Sequence, residues 1–495
     1  RHAACRFAVL LTMAVFCALR DTARAATLGG IVFCPESVMA ASPSRRPVAG
    51  GPCVPKLVSG RFNTVRVAFV LLTQLIFLGT PWLRWDGRQA VWLDLEGQRI
   101  FLFGWSFWPQ DLVYLAGVLI VCALALFWWT ALAGRLWCGN SCPQTVYTEI
   151  MLWIERAVEG DRPARLKQAA APWQPAHLAR KLASHTLMLL VSLVIGFGFV
   201  AYFVPAPALW ASVLDGSLGG WTLFWLLAYA GFTYLLAGRL REQVCLHMCP
   251  YARFQSAMFD DDTLLVAYDA RRGEPRGALR RQGQASAPRG DCVDCSLCVQ
   301  VCPTGIDIRD GLQYACIGCG ACIDACDTVM DKLNAPRGLI RLTTPRSEAE
   351  QRPARVGWLR PRPLIYLGLI VTTLGLMALG LAQRTPMHVN VLRDRAFLVR
   401  ETNQGQLENA YQLKVFNADA RPHRLQLQVA GLPGATVQTD PPQPLLPAQG
   451  QVSFYARVQI DPAHGQRQAQ PIRLQVVSLD DPAMAKTEDS VFIGE

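Results

Sequence analysis

Residues 292–303 read Cys-Val-Asp-Cys-Ser-Leu-Cys-Val-Gln-Val-Cys-Pro, and this stretch decides the fold at the centre of the chain. The spacing returns at 316–326, where Cys-Ile-Gly-Cys-Gly-Ala-Cys-Ile-Asp-Ala-Cys precedes Asp327 instead of a proline. Such runs of Cys-x2-Cys-x2-Cys-x3-Cys are typical of bacterial ferredoxins with two 4Fe–4S clusters. The doubled run therefore predicts a two-cluster ferredoxin-like domain over residues 284–340.

The fourth cysteine of each run is expected to ligate the cluster of the other run. For cluster 1 the predicted ligands are Cys292, Cys295, Cys298 and Cys326. For cluster 2 they are Cys316, Cys319, Cys322 and Cys302. Zinc is the main alternative, but zinc ribbons use two Cys-x-x-Cys pairs joined by a longer linker. The dense doubled run favours iron–sulfur clusters.

Composition narrows the class of protein further. Of 17 cysteines, none follows Cys326, whereas a secreted disulfide scaffold would spread them through small loop-rich modules. A reducing compartment is therefore expected for the cluster domain. The net charge of +11 is not gathered on one compact basic domain, so no nucleic-acid partner is predicted. No phosphate-binding loop and no pair of catalytic carboxylates is visible, which argues against a nucleotide-driven reaction.

Five apolar tracts are long enough to cross a bilayer, which takes about 20 residues each. They cover residues 65–83, 112–132, 182–204, 221–237 and 364–382. A shorter tract, 7–19, resembles the core of a signal peptide. The sequence thus predicts a multidomain, multi-pass membrane protein with an α-helical bundle of about five spans.

Basic residues predict how this bundle is oriented. The segment between spans two and three is rich in Arg and Lys, whereas residues 205–220 contain neither. The positive-inside rule then places the ferredoxin-like domain in the cytoplasm and the C-terminal domain in the periplasm, across the inner membrane. The predicted divisions are an N-terminal segment, disordered or a non-native start (1–60), a first hairpin of spans (61–136), a cytoplasmic loop (137–181), a second hairpin (182–240), a cytoplasmic segment (241–283), the cluster domain (284–340), a basic linker (341–362), a fifth span (363–383) and a periplasmic domain (384–495).

The C-terminal domain shows the alternation of apolar and polar residues expected of strands. Tyr411, Leu413 and Val415 alternate with polar neighbours, and similar runs follow, separated by Pro, Gly and Asp clusters. An immunoglobulin-like β-sandwich is therefore predicted. Taken alone, its simplest role is structural or as a docking module.

A second set of cysteines comes from an internal repeat. The string Ala-Gly-Arg-Leu closes spans two and four, at 133–136 and 237–240, and each copy is soon followed by Cys-x3-Cys-Pro. The repeat predicts that Cys138, Cys142, Cys245 and Cys249 meet at one membrane face. Soft thiolates select Cu(I), zinc or iron–sulfur clusters, and the nearby His247 and Met248 are further candidate ligands. The alternatives are buried structural cysteines and a hydrogen-bonding histidine.

The remaining cysteines show no regular spacing, and no role is predicted for them. They are Cys5, Cys17, Cys34, Cys53 and Cys122.

Several longer strings carry a resemblance to a known family. They are Gly-Arg-Leu-Trp-Cys-Gly at 134–139, Cys-Pro-Gln-Thr-Val at 142–146, Arg-Glu-Gln-Val-Cys at 241–245, Met-Cys-Pro-Tyr-Ala-Arg-Phe-Gln at 248–255, Arg-Gly-Glu-Pro-Arg-Gly at 272–277 and Cys-Pro-Thr-Gly-Ile-Asp-Ile-Arg-Asp-Gly-Leu-Gln at 302–313. With these motifs the chain resembles the cytochrome c oxidase accessory proteins of the CcoG/FixG/RdxA type. The match is close over residues 60–338 and looser in the C-terminal domain. His247 stands where an aromatic residue is expected, and residues 1–56 do not match the family's start.

The resemblance implies a role in assembling a cbb-type oxidase by reducing Cu(II) to Cu(I), which would make the chain an oxidoreductase. The four membrane-face cysteines would bind or reduce copper, and the clusters would supply electrons from a cytoplasmic donor. The implied partners are copper ions, copper chaperones and oxidase subunits. Two alternatives stay open. One is a quinol-linked subunit that feeds another reductase, and the other is an assembly scaffold whose clusters sense redox state.

Overall fold

The computed structural model describes residues 53–494, except 279–289, 354–356, 395–398, 403–404, 420, 462–468 and 482–483. The predictions for the signal-like tract at 7–19 and for Cys5, Cys17 and Cys34 fall outside the described residues. The α-helices are α1 (Arg61–Gly79), α2 (Leu112–Ala133), α3 (Leu136–Asn140), α4 (Pro143–Glu159), α5 (Arg162–Ala170), α6 (Pro175–Val200), α7 (Ala206–Leu214), α8 (Gly220–Thr233), α9 (Pro250–Met258), α10 (Ala270–Gly273), α11 (Leu297–Gln300), α12 (Ala321–Lys332), α13 (Pro345–Ala349) and α14 (Pro361–Ala382).

Short helices of other types and sixteen strands complete the described secondary structure. The 3₁₀ turns are Thr80–Trp82, Pro109–Asp111 and Ile308–Asp310, and the π-helical segments are Tyr234–Leu240 and Val244–Met248. The strands are β1 (Arg84–Trp85), β2 (Arg88–Gln89), β3 (Val91–Asp94), β4 (Arg99–Leu102), β5 (Trp105–Phe107), β6 (Leu265–Tyr268), β7 (Ile340–Thr343), β8 (Met387–Arg393), β9 (Arg400–Glu401), β10 (Leu407–Asn417), β11 (His423–Ala430), β12 (Thr436–Asp440), β13 (Leu445–Leu446), β14 (Gln451–Ile460), β15 (Ala469–Ser478) and β16 (Ala485–Ile493).

Five helical segments in the described part of the chain are long and apolar enough to span a membrane. They are Arg61–Trp82, Pro109–Ala133, Pro175–Val200, Gly220–Leu240 and Pro361–Ala382. Their number and order confirm the bundle of five spans. The third begins seven residues earlier than the apolar tract because Pro175 occupies the first helical turn, where its missing N–H costs nothing. The fourth runs on to Leu240 as a π-helix.

The segment predicted as a loop at 137–181 instead contains α4 and α5 and the start of α6. Helix α4 buries three carboxylates, those of Glu149, Glu155 and Glu159. A buried charge is stable only when it is paired. Their partners, all within ion-pair distance, are Arg66, Arg156, Arg165, Lys181 and Arg241. These pairs bind α4 to α1, α5, α6 and the end of the fourth span.

The cluster domain reaches beyond the predicted limits of 284–340. Strands β6 and β7 pair in antiparallel register, with Leu265 opposite Thr343 and Tyr268 opposite Ile340. This pairing joins the N-terminal and C-terminal ends of the cluster domain. Residues of both strands pack into the hydrophobic core that includes Met330. Of the N-terminal segment predicted for 1–60, the structure describes residues 53–60, and there the backbone N–H of Lys56 donates to the Gln300 carbonyl at 2.8 Å.

The C-terminal domain has two antiparallel sheets and confirms the immunoglobulin-like β-sandwich. One sheet has the order β12-β14-β10-β8 with β9 beside β10, and the other has the order β13-β11-β15-β16. Tyr411, Leu413 and Val415 are fully buried between the sheets, as their alternation predicts. Phe454 of the neighbouring strand β14 and Leu474 of the facing sheet complete this core.

The β-sandwich and the cluster domain contact opposite ends of the spans. At the sandwich end, Arg384 donates to the Asp111 carboxylate at 2.5 Å, and the rings of Trp108 and Phe416 lie 4.8 Å apart. At the other end, Arg360 pairs with Asp260 at 2.5 Å, just before α14 begins. Helices α2 and α14 run side by side between these two ends, so the spans separate the two domains.

Candidate iron–sulfur and thiol sites

The first candidate site, called site 1, is a small apolar cavity lined by four thiols. They are Cys292, Cys295, Cys298 and Cys326. Tyr268, Met330 and Ile340 form much of the remaining wall. Cys295 is exposed, whereas Cys292 and Cys298 are buried. Site 1 is therefore open to solvent at Cys295.

The second candidate site, called site 2, lies deeper in the same domain. Its cavity is lined by Cys302, Cys316, Cys319 and Cys322, with Cys298 of the neighbouring site at its edge. Val266 and Ile308 supply apolar wall. The structure thus brings the predicted ligands together in two sets, and in each set the fourth thiol comes from the other cysteine run.

The chemistry of these thiols suits clusters, which need four thiolates in an apolar setting. Burial raises the pKa of the Cys298 and Cys316 thiols to about 12. Thiols of this kind stay protonated until a metal replaces the proton. The donor sets therefore fit two 4Fe–4S clusters, and the shared edge at Cys298 keeps the two positions adjacent.

The loops around the two sites use the same backbone conformation but different residues. Asp294 and Ser296 have φ of 50° and 56°, and at the equivalent positions Gly318 and Gly320 have φ of 69° and 72°. A Cβ on Gly320 would lie 2.5 Å from the ring of Phe62 in α1. Glycine is needed at site 2 because that loop is pressed against the helices, whereas the site 1 loop faces outward.

The third constellation comprises Cys138, Cys142, Cys245 and Cys249, which we call the membrane-face thiols. Cys138 lies in α3 and Cys245 in the second π-helical segment. Cys142 and Cys249 have extended backbones and immediately precede the first residues of α4 and α9. The prolines that follow them enforce this geometry. Each Cys-x3-Cys-Pro motif thus places its second sulfur at the N-terminus of a helix.

The two motifs hold each other in place through reciprocal glutamine contacts. Gln144, in the helix of the first motif, donates to the Arg241 carbonyl at 3.1 Å. Gln255, in the helix of the second, donates to the Gly134 carbonyl at 3.2 Å. Both accepting residues have positive φ, 44° for Arg241 and 55° for Gly134. The repeat in sequence is therefore also a repeat in space, and it brings both cysteine pairs to one face.

The membrane-face thiols share a partly buried environment. Burial first, and then the nearby Cys142, raise the pKa of Cys138 to about 12. The same causes raise the pKa of Cys245 to about 11, with Cys249 adding to the effect. Burial also raises the pKa of Cys142. Hydrogen bonds from the backbone N–H groups of Gln144 and Thr145 act in the opposite direction and lower this pKa, as expected at a helix N-terminus.

The predicted copper ligands do not form a ready-made site for one ion. Among the described residues, no group of three His, Cys, Asp or Glu side chains could hold a single metal ion, either at the membrane-face thiols or at sites 1 and 2, whose thiols instead line cavities. Met248 is 58% exposed and His247 is also exposed, while the four thiols are only partly accessible. The structure therefore gathers the thiols loosely and leaves the histidine and methionine facing outward.

Site 2 lies directly against helix α3, which carries Cys138. A Cβ on Gly139 would lie 2.7 Å from Cα of Cys319 and 2.9 Å from the Ile317 carbonyl oxygen. Cys138 packs against the apolar group formed around these two residues. Helix α3 and the site 2 loop therefore meet backbone to backbone, with no side chain between them.

Replacing Gly139 by alanine is expected to push the site 2 loop away from α3. The clash is with backbone atoms, so it cannot be relieved by a rotamer change, and overpacking of this kind costs about 1–3 kcal/mol. Hydrogen exchange of the 316–320 amides should become faster in Gly139→Ala. Gly375→Ala is the matched control, since a Cβ there has no atom within 4 Å. Unchanged protection in both variants would contradict the close contact.

Sequence reasoning missed two residues beside site 2. Cys53 was given no role, but its Sγ lies 3.4 Å from the Cys302 carbonyl oxygen. Arg135 donates to the Cys316 carbonyl at 3.0 Å and to the Ala252 carbonyl at 2.7 Å. No spacing rule could identify Cys53, because 249 residues separate it from Cys302.

Comparison with known families agrees with this architecture. A model described as a 4Fe-4S dicluster domain matches residues 240–345, and one described as a 4Fe-4S binding domain matches residues 115–159. A third, described as an IG-like fold at C-terminal of FixG, matches residues 377–495. With the five spans, these matches define the class as integral membrane iron–sulfur proteins of electron transfer.

Curated relatives identify the family within that class. Protein RdxB of Cereibacter sphaeroides is 41% identical over 389 residues, which cover 76% of this chain and 82% of the relative. Nitrogen fixation protein FixG of Rhizobium meliloti is 38% identical, with 78% of this chain and 80% of the relative covered. Protein RdxA of Cereibacter sphaeroides is 37% identical, with 77% and 83% covered. The chain belongs to the family of FixG- and CcoG-type ferredoxin proteins.

A solved structure is similar to part of the chain. It is a FixG-related protein from Vibrio parahaemolyticus, 22% identical, which covers 22% of this chain and 97% of its own, with a TM-score of 0.20.

Proposed function

We propose that this protein carries electrons from a cytoplasmic donor, through sites 1 and 2, to the membrane-face thiols, where Cu(II) is reduced to Cu(I) for assembly of a cbb-type cytochrome c oxidase. The observation that carries the proposal is the backbone contact between Gly139 and Cys319, which joins site 2 to the helix of Cys138. A short, packed route of this kind suits electron transfer better than a role in structure alone.

The ligand sets of the two clusters are part of the proposal. Site 1 would be held by Cys292, Cys295, Cys298 and Cys326, and site 2 by Cys302, Cys316, Cys319 and Cys322. When bound, each cluster supplies one electron, which balances the conversion of one Cu(II) to Cu(I). The apolar cavity walls keep water away from the buried sulfurs, whereas the exposed Cys295 offers the donor a point of approach.

The membrane-face thiols would receive copper as a substrate. Cu(I) is soft and binds thiolate sulfur, so reduction at this place favours its retention until it is passed on. Cys142 and Cys249 each directly precede the N-terminus of a helix, where the helix dipole favours a negatively charged ligand. Two thiolates suffice for Cu(I), which accepts low coordination numbers, so a loosely gathered set is compatible with transient binding.

The orientation is also proposed. Basic residues flank the spans at the end where the clusters lie, which supports a cytoplasmic cluster domain and a periplasmic β-sandwich. Copper chaperones and oxidase subunits are the partners proposed to receive Cu(I).

The test is stoichiometric reduction by anaerobically purified, chemically reduced protein freed of excess reductant. Cu(II) is added with a Cu(I)-selective chromophore while the cluster absorbance is followed. We expect one Cu(I) for each cluster that is reoxidised. Copper reduction without any cluster reoxidation would overturn the proposal. A quinone analogue that reoxidises the clusters when Cu(II) cannot would favour the quinol-linked alternative, and failure of both oxidants would favour the scaffold.

A further inference from the structure

Arg135 joins three parts of the molecule. It is 7% exposed and follows Gly134 at the end of the second span. Its guanidinium donates to the carbonyls of Tyr314 and Cys316 in the site 2 loop and to the carbonyl of Ala252 in α9. One buried side chain thus connects site 2 with both Cys-x3-Cys-Pro motifs.

The charge of Arg135 has no carboxylate partner among the residues that the structure describes. Its hydrogen bonds all go to neutral carbonyls, and its buried Nε has no partner at all. The ionisable groups that face it include the thiols Cys138, Cys316 and Cys249 and the hydroxyl of Tyr251. A buried cation is costly unless negative charge compensates it. Here that negative charge can come from thiolate sulfur.

The arginine beside site 1 is in a different position. Arg309, which faces Cys298, pairs with Asp307 at 2.7 Å and with Asp294 at 2.5 Å. Two carboxylates therefore outweigh its single positive charge. A further carboxylate, that of Asp327, faces Cys326. Site 1 thus lies in a field that is neutral to negative.

A second cation close to site 2, Arg66, does not change this contrast. Arg66 faces Cys319, but it pairs with Glu149 at 3.5 Å. Arg135 is therefore a buried cation, hydrogen-bonded to the site 2 loop itself, whose charge is left uncompensated by the described carboxylates. Positive charge close to a redox site in a low-dielectric interior stabilises an added electron.

We propose that Arg135 makes site 2 the higher-potential site, so that electrons entering at site 1 move toward the membrane-face thiols. The inference rests on the proposed ligand sets but not on the copper reaction. Arg135 is a positioning residue in this scheme, because it acts on the site 2 loop and its thiolates and is not itself reduced. Its hydrogen bond to the Cys316 carbonyl keeps the charge at a fixed distance from that ligand.

The test is a redox titration of the full-length, anaerobically purified protein followed by electron paramagnetic resonance. In the wild type, the signal that Cys302→Ala abolishes should titrate at a higher potential than the signal that Cys326→Ala abolishes. In Arg135→Gln the site 2 potential should fall, changing the ratio of reduced site 2 to reduced site 1 at least tenfold, which corresponds to about 59 mV for one electron. Arg135→Lys keeps the charge and should retain most of the difference.

Arg309→Gln is the matched control, because it removes an arginine beside site 1. It should lower the potential of site 1 and leave site 2 unchanged. Should Arg135→Gln lose its iron, the order of the wild-type potentials and the Arg135→Lys titration still decide the matter. A higher potential at site 1, or an unchanged site 2 potential in Arg135→Gln, overturns the inference. Neither result would change the outcome of the copper-reduction experiment, so the two proposals can fail separately.

Discussion

Replacing Cys302 by alanine is expected to remove the cluster at site 2, although Cys302 belongs to the first cysteine run. Replacing Cys326 by alanine should likewise remove the cluster at site 1, although it belongs to the second run. The reason is that each thiol lines the cavity of the opposite run. A 4Fe–4S cluster needs four thiolates, so each variant should lose about half of the bound iron.

The measurement is iron analysis combined with electron paramagnetic resonance of the reduced variants. Cys292→Ala identifies the signal of site 1 and Cys319→Ala that of site 2, since each of these cysteines lines the cavity of its own run. Cys302→Ala should lack the same signal as Cys319→Ala. Cys122→Ala is the control, because this cysteine is exposed on α2 far from both cavities. If Cys302→Ala instead lacked the signal that Cys292→Ala lacks, the ligands would not be exchanged.

The sequence was most informative where a short-range rule governs structure. Cluster ligands obey fixed spacings, bilayer spans need a minimum apolar length, and a half-buried strand must alternate. Each rule involves residues close together in the chain, as with Tyr411 and Leu413 in β10. The three main parts of the fold could therefore be predicted.

The contacts between those parts could not be predicted in the same way. Gly139 has the appearance of an ordinary residue in a short helix, and only the folded chain shows that Cys319 lies against it. The contact of Cys53 with Cys302 and that of Arg135 with Cys316 also join residues far apart in sequence. Long-range packing of this kind leaves no periodicity to detect.

The internal repeat shows how a pattern can be right while its spacing misleads. The string Ala-Gly-Arg-Leu aligns Gly134 with Gly238, but the structural equivalent of Gly134 is Arg241, which has the positive φ. In the second copy the cysteines lie three residues farther from the string, and the wider turns of the π-helix Tyr234–Leu240 take up this difference. Arg241 holds its unfavourable φ because its side chain pairs with the buried Glu155.

The double variant Cys142→Ser/Cys249→Ser is expected to keep both clusters but lose most of its copper reduction. The two residues are the second cysteines of their motifs, each at the N-terminus of a helix, and neither lines site 1 or site 2. Serine cannot supply a soft ligand for Cu(I). We expect a loss on the order of 10–100-fold in the rate of Cu(I) formation, the range seen when groups that support a metal site are removed.

The measurement compares wild type, the double variant and Cys122→Ser, all anaerobically reduced and matched for iron content. Free thiols can themselves reduce Cu(II), so cluster-free protein that retains all its cysteines sets the background. Copper reduction above that background should be present in wild type and Cys122→Ser and absent from the double variant. Equal rates in all three would show that the membrane-face thiols are not the place of reduction. The clusters would then serve a quinol-linked partner or a scaffold, because an electron at site 2 would have no copper acceptor beside it.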